Sequence, residues 1–263
     1  MNELKLAKTF AYILASVIIL SICSIPLGIL TFNSNDKLTA EMVSILKIDD
    51  ELNNVNLDVL MKSGKFNVVL GDSLEVLTNN SKITAEYKDN EITIKNQSLK
   101  YGNNDSVLTL KIPEYVVFDK INLELGAGLS EINNLKANNW QIELGAGKFT
   151  FDHILATQKI MIEAGVGSLD IVNSDLNNLT LDGGVGKIDF SGYITGNSKI
   201  EVGIGKIGLD IKDTKENYAL ILEKGIGSIE VDGVDSSSGT FGNGKNTLNA
   251  SGGIGKLEIN FSK

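Results

Sequence analysis

One short phrase recurs seven times in this sequence. It reads LELGAGLSEI from Leu123, IELGAGKFTF from Ile142, IEAGVGSLDI from Ile162 and LDGGVGKIDF from Leu181. It returns as IEVGIGKIGL from Ile200, LEKGIGSIEV from Leu222 and ASGGIGKLEI from Ala250. The first glycines, Gly126, Gly145, Gly165, Gly184, Gly203, Gly225 and Gly253, lie 19, 20, 19, 19, 22 and 28 residues apart. The second glycines are Gly128, Gly147, Gly167, Gly186, Gly205, Gly227 and Gly255. A period of about 20 residues indicates a solenoid, in which no unit can bury its apolar face alone and each must stack on its neighbours. A dinucleotide-binding glycine loop needs a helix after it, and these phrases are followed by strand patterns.

The columns of the repeat set the geometry. Three residues before the first glycine stand Leu123, Ile142, Ile162, Leu181, Ile200, Leu222 and Ala250. Four and six residues after it stand pairs such as Phe149 and Phe151, Leu169 and Ile171, or Ile188 and Phe190. Period-two alternation puts each set on an inward strand face. The inward parity changes across Gly-x-Gly, so the chain must bend or bulge there, which glycine permits. The fourteen glycines are therefore read as structural turns. The residue between them grows from Ala to Val to Ile along the chain, which predicts a side chain pointing into a core of changing width. The opposite bends carry Asn133, Asn134, Asn138, Asn139, Asn173, Asn177, Asn178 and Asn197, a residue that tolerates left-handed turns and can ladder. DGVDSSSGTFGNGKN, from Asp232, reads as a flexible loop.

Two residues before each first glycine runs an acidic ladder: Glu124, Glu143, Glu163, Asp182, Glu201 and Glu223, ending at Ser251. Unit charges ~5 Å apart in water repel by about 0.8 kcal/mol. A buried apolar side chain contributes roughly 1.5–3 kcal/mol, so burial wins and the ladder is tolerated. Lys148, Lys187, Lys206 and Lys256 form a partial counter-column three residues after the first glycine. A solvated charged face is the plain reading; weak divalent-cation or polycation binding along the ladder is the sharper one. The calcium-binding nonapeptide repeat does not fit, because Ile188 and Leu257 stand where it needs an acid.

Catalysis has little to work with. His153 is the only histidine and falls at a predicted coil turn, so no histidine cluster can bind a metal. Trp140 precedes an inward strand and reads as core. No catalytic, cofactor or metal residue is assigned, and a non-enzymatic chain is expected. All 24 basic residues are lysine and the net charge is −9, which argues against nucleic acid.

Residues 1–9 read as a cytoplasmic tail and 10–32, nearly all apolar, as a transmembrane signal anchor. Lysines flank it almost evenly, with a lean toward a cytoplasmic N-terminus. Leu20-Ser21-Ile22-Cys23 has the outline of a lipobox, but Ile22 is bulky for the residue before a modified cysteine. A cysteine buried in the membrane is the favoured reading. Residues 33–54 are assigned to a juxtamembrane linker, in which Leu38, Met42, Ile45 and Leu46 have the spacing of a short helix. From 55 to 263 the pattern is all strand and turn, with about eight coils expected.

VLTLKIPEYVVFDKINLELGAG, residues 107–128, resembles the bacterial putative-adhesin, or toastrack, family of β-strand repeats. The resemblance rests on Leu-x-Ile-Pro at Pro113, on Phe118-Asp119-x-Ile121, and on the first Gly-x-Gly. KSGKFNV, from Lys62, looks like the family's opening coil. The resemblance implies a single-stranded right-handed β-solenoid displayed outside the cytoplasm of a bacterial membrane protein, with no established catalytic residues. Relatives are linked to cell-envelope stress sensing, so other envelope or membrane proteins are the expected partners. The alternatives are a cation- or polysaccharide-binding surface adhesin and, further off, an enzyme of the polysaccharide-lyase type.

Overall fold

The computed structural model describes residues 38–96 and 106–262. The tail, the anchor expected over 10–32 and the start of the linker lie outside the described residues. Asp36–Lys263 forms one compact unit. Its strands in chain order are β1 (Leu38–Ile48), β2 (Asn56–Leu70), β3 (Leu74–Asn80), β4 (Ile83–Lys88), β5 (Glu91–Asn96), β6 (Val107–Ile112), β7 (Phe118–Asn133) and β8 (Lys136–Asp152). There follow β9 (Leu155–Asn177), β10 (Leu179–Thr195), β11 (Asn197–Ile211), β12 (Tyr218–Val231), β13 (Val234–Ser236), β14 (Gly239–Phe241) and β15 (Asn246–Phe261).

Eight of these, β2, β7 to β12 and β15, are the coils. Each pairs in parallel with its neighbour, and the Gly-x-Gly phrases lie in register: Gly64 with Gly128, Gly128 with Gly147, Gly147 with Gly167, and so on along the stack. The opening coil read at Lys62 takes its place here, since Ser63 pairs with Ala127. The three inward columns are buried, and they join one core with Ile121, Trp140, Ile160 and Leu179 of the first arm. Trp140 is core as expected, and its indole Nε1 donates to the Leu155 carbonyl at 3.0 Å. Each coil is thus two long arms folded at Gly-x-Gly, with a short third side at the far end, carrying Leu135 and Ala137 or Ile154 and Ala156, that closes the apolar layer.

The corner explains the glycines. Gly128 has φ +154°, and a methyl on its α-carbon would overlap the carbonyl oxygen of Gly64 in the coil before. The same overlap with the preceding glycine's carbonyl recurs at Gly186 against Gly167. The backbones meet too closely for any side chain. The middle residue, however, does not point into the core. It follows the outward parity of the second arm and lies on the convex side of the bend, with Val166 49% and Ile226 65% exposed. The parity change is complete before this residue is reached.

At the asparagine end the side chains bond from coil to coil, but to Asp, Gln and backbone carbonyls rather than to one another as a ladder. Asn134 and Asn173 have positive φ, as does His153 at the equivalent turn, and so does Asn178 at the next bend along the coil. Asn177 and Asn178 donate to the carbonyls of Thr157 and Gln158 one coil away, at 3.0 and 2.8 Å. Asn177 is therefore half-buried and engaged, not a free turn residue. Ser174 Oγ accepts from the Ile154 amide and donates to the Val172 carbonyl, satisfying turn groups that the ladders leave over.

Three further expectations change. The stretch read as helical is β1, antiparallel to β3 from Leu38↔Asn80 to Ile48↔Leu74, so the linker of 33–54 contains a sheet strand. The edge of β3 offers an unpaired ladder, and pairing to it overrides a weak helical spacing. Second, β15 lies between β11 and β12: Lys199 pairs with Asn249, and Asn249 with Ile221. The last coil in sequence is therefore the second last in space. Third, the loop after Asp232 contains β13 and β14, which pair antiparallel with Ile229–Val231 and Leu220–Leu222 on the outer edge of β12. At the other end β5 and β6 cover the outer edge of β2. Both arms of both end coils are covered, which leaves β1, β4, β13 and β14 as the outermost strands.

Gly186→Ala should destabilise residues 36–263 by about 2–4 kcal/mol, through positive-φ strain and overlap with a carbonyl that cannot withdraw. Gly252→Ala, where an added methyl meets nothing within 4 Å, should stay within about 0.5 kcal/mol of the parent. Equilibrium urea unfolding of both variants checks the pair, and equal effects would contradict the corner geometry.

Candidate functional site

With the coils in register, every outward position becomes a column of side chains at about 4.8 Å intervals. The acidic ladder is one of them. Glu124, Glu143, Glu163, Asp182 and Glu201 are consecutive neighbours. Ser251 then separates Glu201 from Glu223, rather than ending the row as chain order suggests. Its hydroxyl donates to Glu201 at 3.5 Å, and Lys199 pairs with the same carboxylate at 2.7 Å. Glu124, Glu143, Glu163, Asp182 and Glu223 are exposed, and among the described residues none of the five is ion-paired.

The lysines do not face this ladder. They lie on the second arm, where three of the four pair with acids two positions further along it, while Lys148 is exposed and has no ion pair among the described residues. Lys187 pairs with Asp189, Lys206 with Glu258, and Lys256 with both Glu230 and Glu258. Lys65 of the first coil reaches Glu131 at 3.7 Å in the same pattern. Lys206 and Lys256 hold the Glu258 carboxyl below its ordinary value of 4.5 through their hydrogen bonds, and Lys256 is raised in turn. The second arm thus mixes both signs with most of its lysines paired, while the ladder of the first presents carboxylates of which only Glu201 is ion-paired among the described residues. The signal for this pairing is in the phrases themselves, as KID and KLE, but it needs the coil register to be read.

An open groove of about 830 Å³ follows Glu124, Glu143, Glu163 and Asp182, with Gly126 and Gly145 in its lining and Lys62 at one end. The clefts at the corner hold only about 20 Å³ and 10 Å³, no more than a water or two. Between the arms, on the corner, the residues from the middle of Gly-x-Gly form a ridge in register: Ala127, Ala146, Val166, Val185, Ile204, Ile254 and Ile226. Column arithmetic missed this ridge as a surface, because it assigned these residues to the core.

Chemistry of other kinds is thinly represented. His153 Nδ1 lies 2.7 Å from Asp152 on the exposed turn. Among the described residues no three His, Cys, Asp or Glu side chains gather closely enough to hold a metal ion. The ladder carboxylates stand in a line rather than around a point.

No family model and no curated protein matches the chain. Among solved structures it is similar to a putative cell adhesion protein from Clostridium sporogenes, with 16% identity and a TM-score of 0.37, over 84% of this chain and 100% of that one. A putative adhesin from Bacteroides fragilis is 15% identical with a TM-score of 0.47, over 84% and 98%. A putative adhesin from Parabacteroides distasonis is 12% identical with a TM-score of 0.33, over 83% and 97%. Their names coincide with the resemblance read around Pro113; similarity at this level carries nothing about ligand or partner.

The Glu258 pairing sets a pH dependence. A carboxyl lowered by folding adds stability that is full above about 4.5 and is lost as pH falls through the lowered value. The group is on the surface, so Glu258→Gln should lower Tm at pH 7 by only about 1–3 °C. That difference should vanish under strongly acid conditions. A difference that stays constant across thermal scans from neutral to acid pH would contradict the pairing.

Proposed function

We propose that this chain is a single-pass membrane protein that displays its eight-coil β-solenoid outside the cytoplasm as a non-enzymatic interaction module, serving cell-envelope sensing or regulation. The observation that carries the reading is the register. One short phrase, stacked in register, presents columns of acid and aliphatic side chains, with a partial lysine column beside them, over much of the height of the stack. Such arrays suit recognition of an extended partner rather than turnover of a small substrate, which needs a few converging groups in a pocket. The apolar stretch at 10–32 supports the anchor, and the resemblance to the toastrack family supports the envelope role.

The compartment is tested by labelling. Ser237 lies exposed between β13 and β14, and Cys23 is the chain's only native cysteine. Ser237→Cys in a Cys23→Ser background should react with a membrane-impermeant maleimide on intact cells. Reaction only after lysis would remove the extracytoplasmic placement and the sensing role with it.

A further inference from the structure

The corner ridge is apolar, exposed and in register, and the packing of the core does not use it. Ile204 is 40%, Ile254 47% and Ile226 65% exposed. β-Branched residues favour strands, but threonine meets that preference while also bonding to water, and it occurs at none of the seven positions. Six steps of about 4.8 Å make the ridge roughly 29 Å long.

Its two flanks differ. On the first arm stands the acidic ladder, of which only Glu201 is ion-paired among the described residues. On the second arm Lys187, Lys206 and Lys256 are already taken by Asp189, Glu230 and Glu258. The ridge is therefore bordered by carboxylates alone on one side and by mixed, mostly paired charge on the other.

We propose that the ridge and ladder together dock a basic amphipathic polypeptide segment, its apolar side chains along the ridge and its lysines or arginines over the carboxylates. This deepens the interaction-module reading and rests on it. A helix of about 20 residues spans roughly 30 Å, the length of the ridge. A second copy of this chain fits less well. Ridges laid parallel put Ala against Ala and Ile against Ile, so the seam gapes at one end, and three of the four facing lysines are already paired. Ridges laid antiparallel complement in size but bring the two acidic ladders together. An anionic bilayer would be repelled by the ladder.

The test uses residues 36–263, a compact unit with its own core, and a designed Lys/Leu peptide of about 20 residues with leucines on one helical face. Fluorescence anisotropy at low salt should show binding that a Lys/Ser peptide and a Glu/Leu peptide of the same length do not. Combining Ile204→Thr, Ile254→Thr and Ile226→Thr, which keeps the β-branched backbone preference, should weaken binding about tenfold. Glu143→Gln with Glu163→Gln should weaken it and flatten its salt dependence, while circular dichroism reports that both variants stay folded. Equal binding of Lys/Ser and Lys/Leu peptides would overturn the proposal, as would unchanged binding by the threonine variant. So would a dimer in sedimentation that the threonine variant dissolves, or binding to phosphatidylglycerol vesicles. The assay is independent of compartment, so failure at the ridge and failure of the extracytoplasmic placement are read separately.

Discussion

The close approach of backbones at the Gly-x-Gly corner is the contact on which the rest depends. Each second glycine sits where a β-carbon would strike the carbonyl of the coil before it, as at Gly128 over Gly64 and Gly205 over Gly186. A stack can be this tight only if glycine recurs at the same place in each coil, and that holds every other column in register. Register then multiplies small effects. One inward leucine per coil becomes a continuous core, and one outward glutamate becomes a ladder. The repulsion along the ladder, about 0.8 kcal/mol per neighbouring pair in water, is small against roughly 1.5–3 kcal/mol for each apolar side chain buried.

Much of this was legible beforehand because the physics is local to the phrase. Period-two alternation placed Leu123, Phe149 and Ile171 inside, and the bend at glycine followed from the change of parity between them. The asparagine turns followed from the residue's own conformational range. What could not be read depends on contacts between distant segments. The middle residue of each phrase went the wrong way because alternation does not say at which atom of a bend the parity flips. The spacing of Leu38, Met42 and Ile45 suggested a helix, but only the edge of β3 decides that the segment is a strand.

The order of the last coils is the clearest case. Spacings of 22 and 28 residues after Gly203 marked the place where the repeat falters, yet they looked like tolerated insertions. In space they let β12 be placed one coil too far and β15 return to fill the gap. The longer insertion then serves as cover for the exposed edge of β12. Ser251 accordingly falls inside the acidic ladder and relieves it between Glu201 and Glu223. The surface that results has chemically distinct flanks, with mixed, mostly paired charge on the second arm and a row of acids on the first, divided by an aliphatic ridge.

Cysteine pairs on the ridge test the account most directly, because they report register, coil order and outward direction together. In a Cys23→Ser background, Ile204→Cys with Ile254→Cys places two thiols on adjacent coils, with α-carbons about 5 Å apart, within the range of a disulfide. Ile204→Cys with Ile226→Cys places them two coils apart, at roughly 10 Å, beyond that range. Mild oxidation of the folded protein should close the first pair and leave the second reduced. A disulfide between positions 204 and 226, with none between 204 and 254, would mean that the coils stack in simple chain order, and the inserted last coil would be wrong.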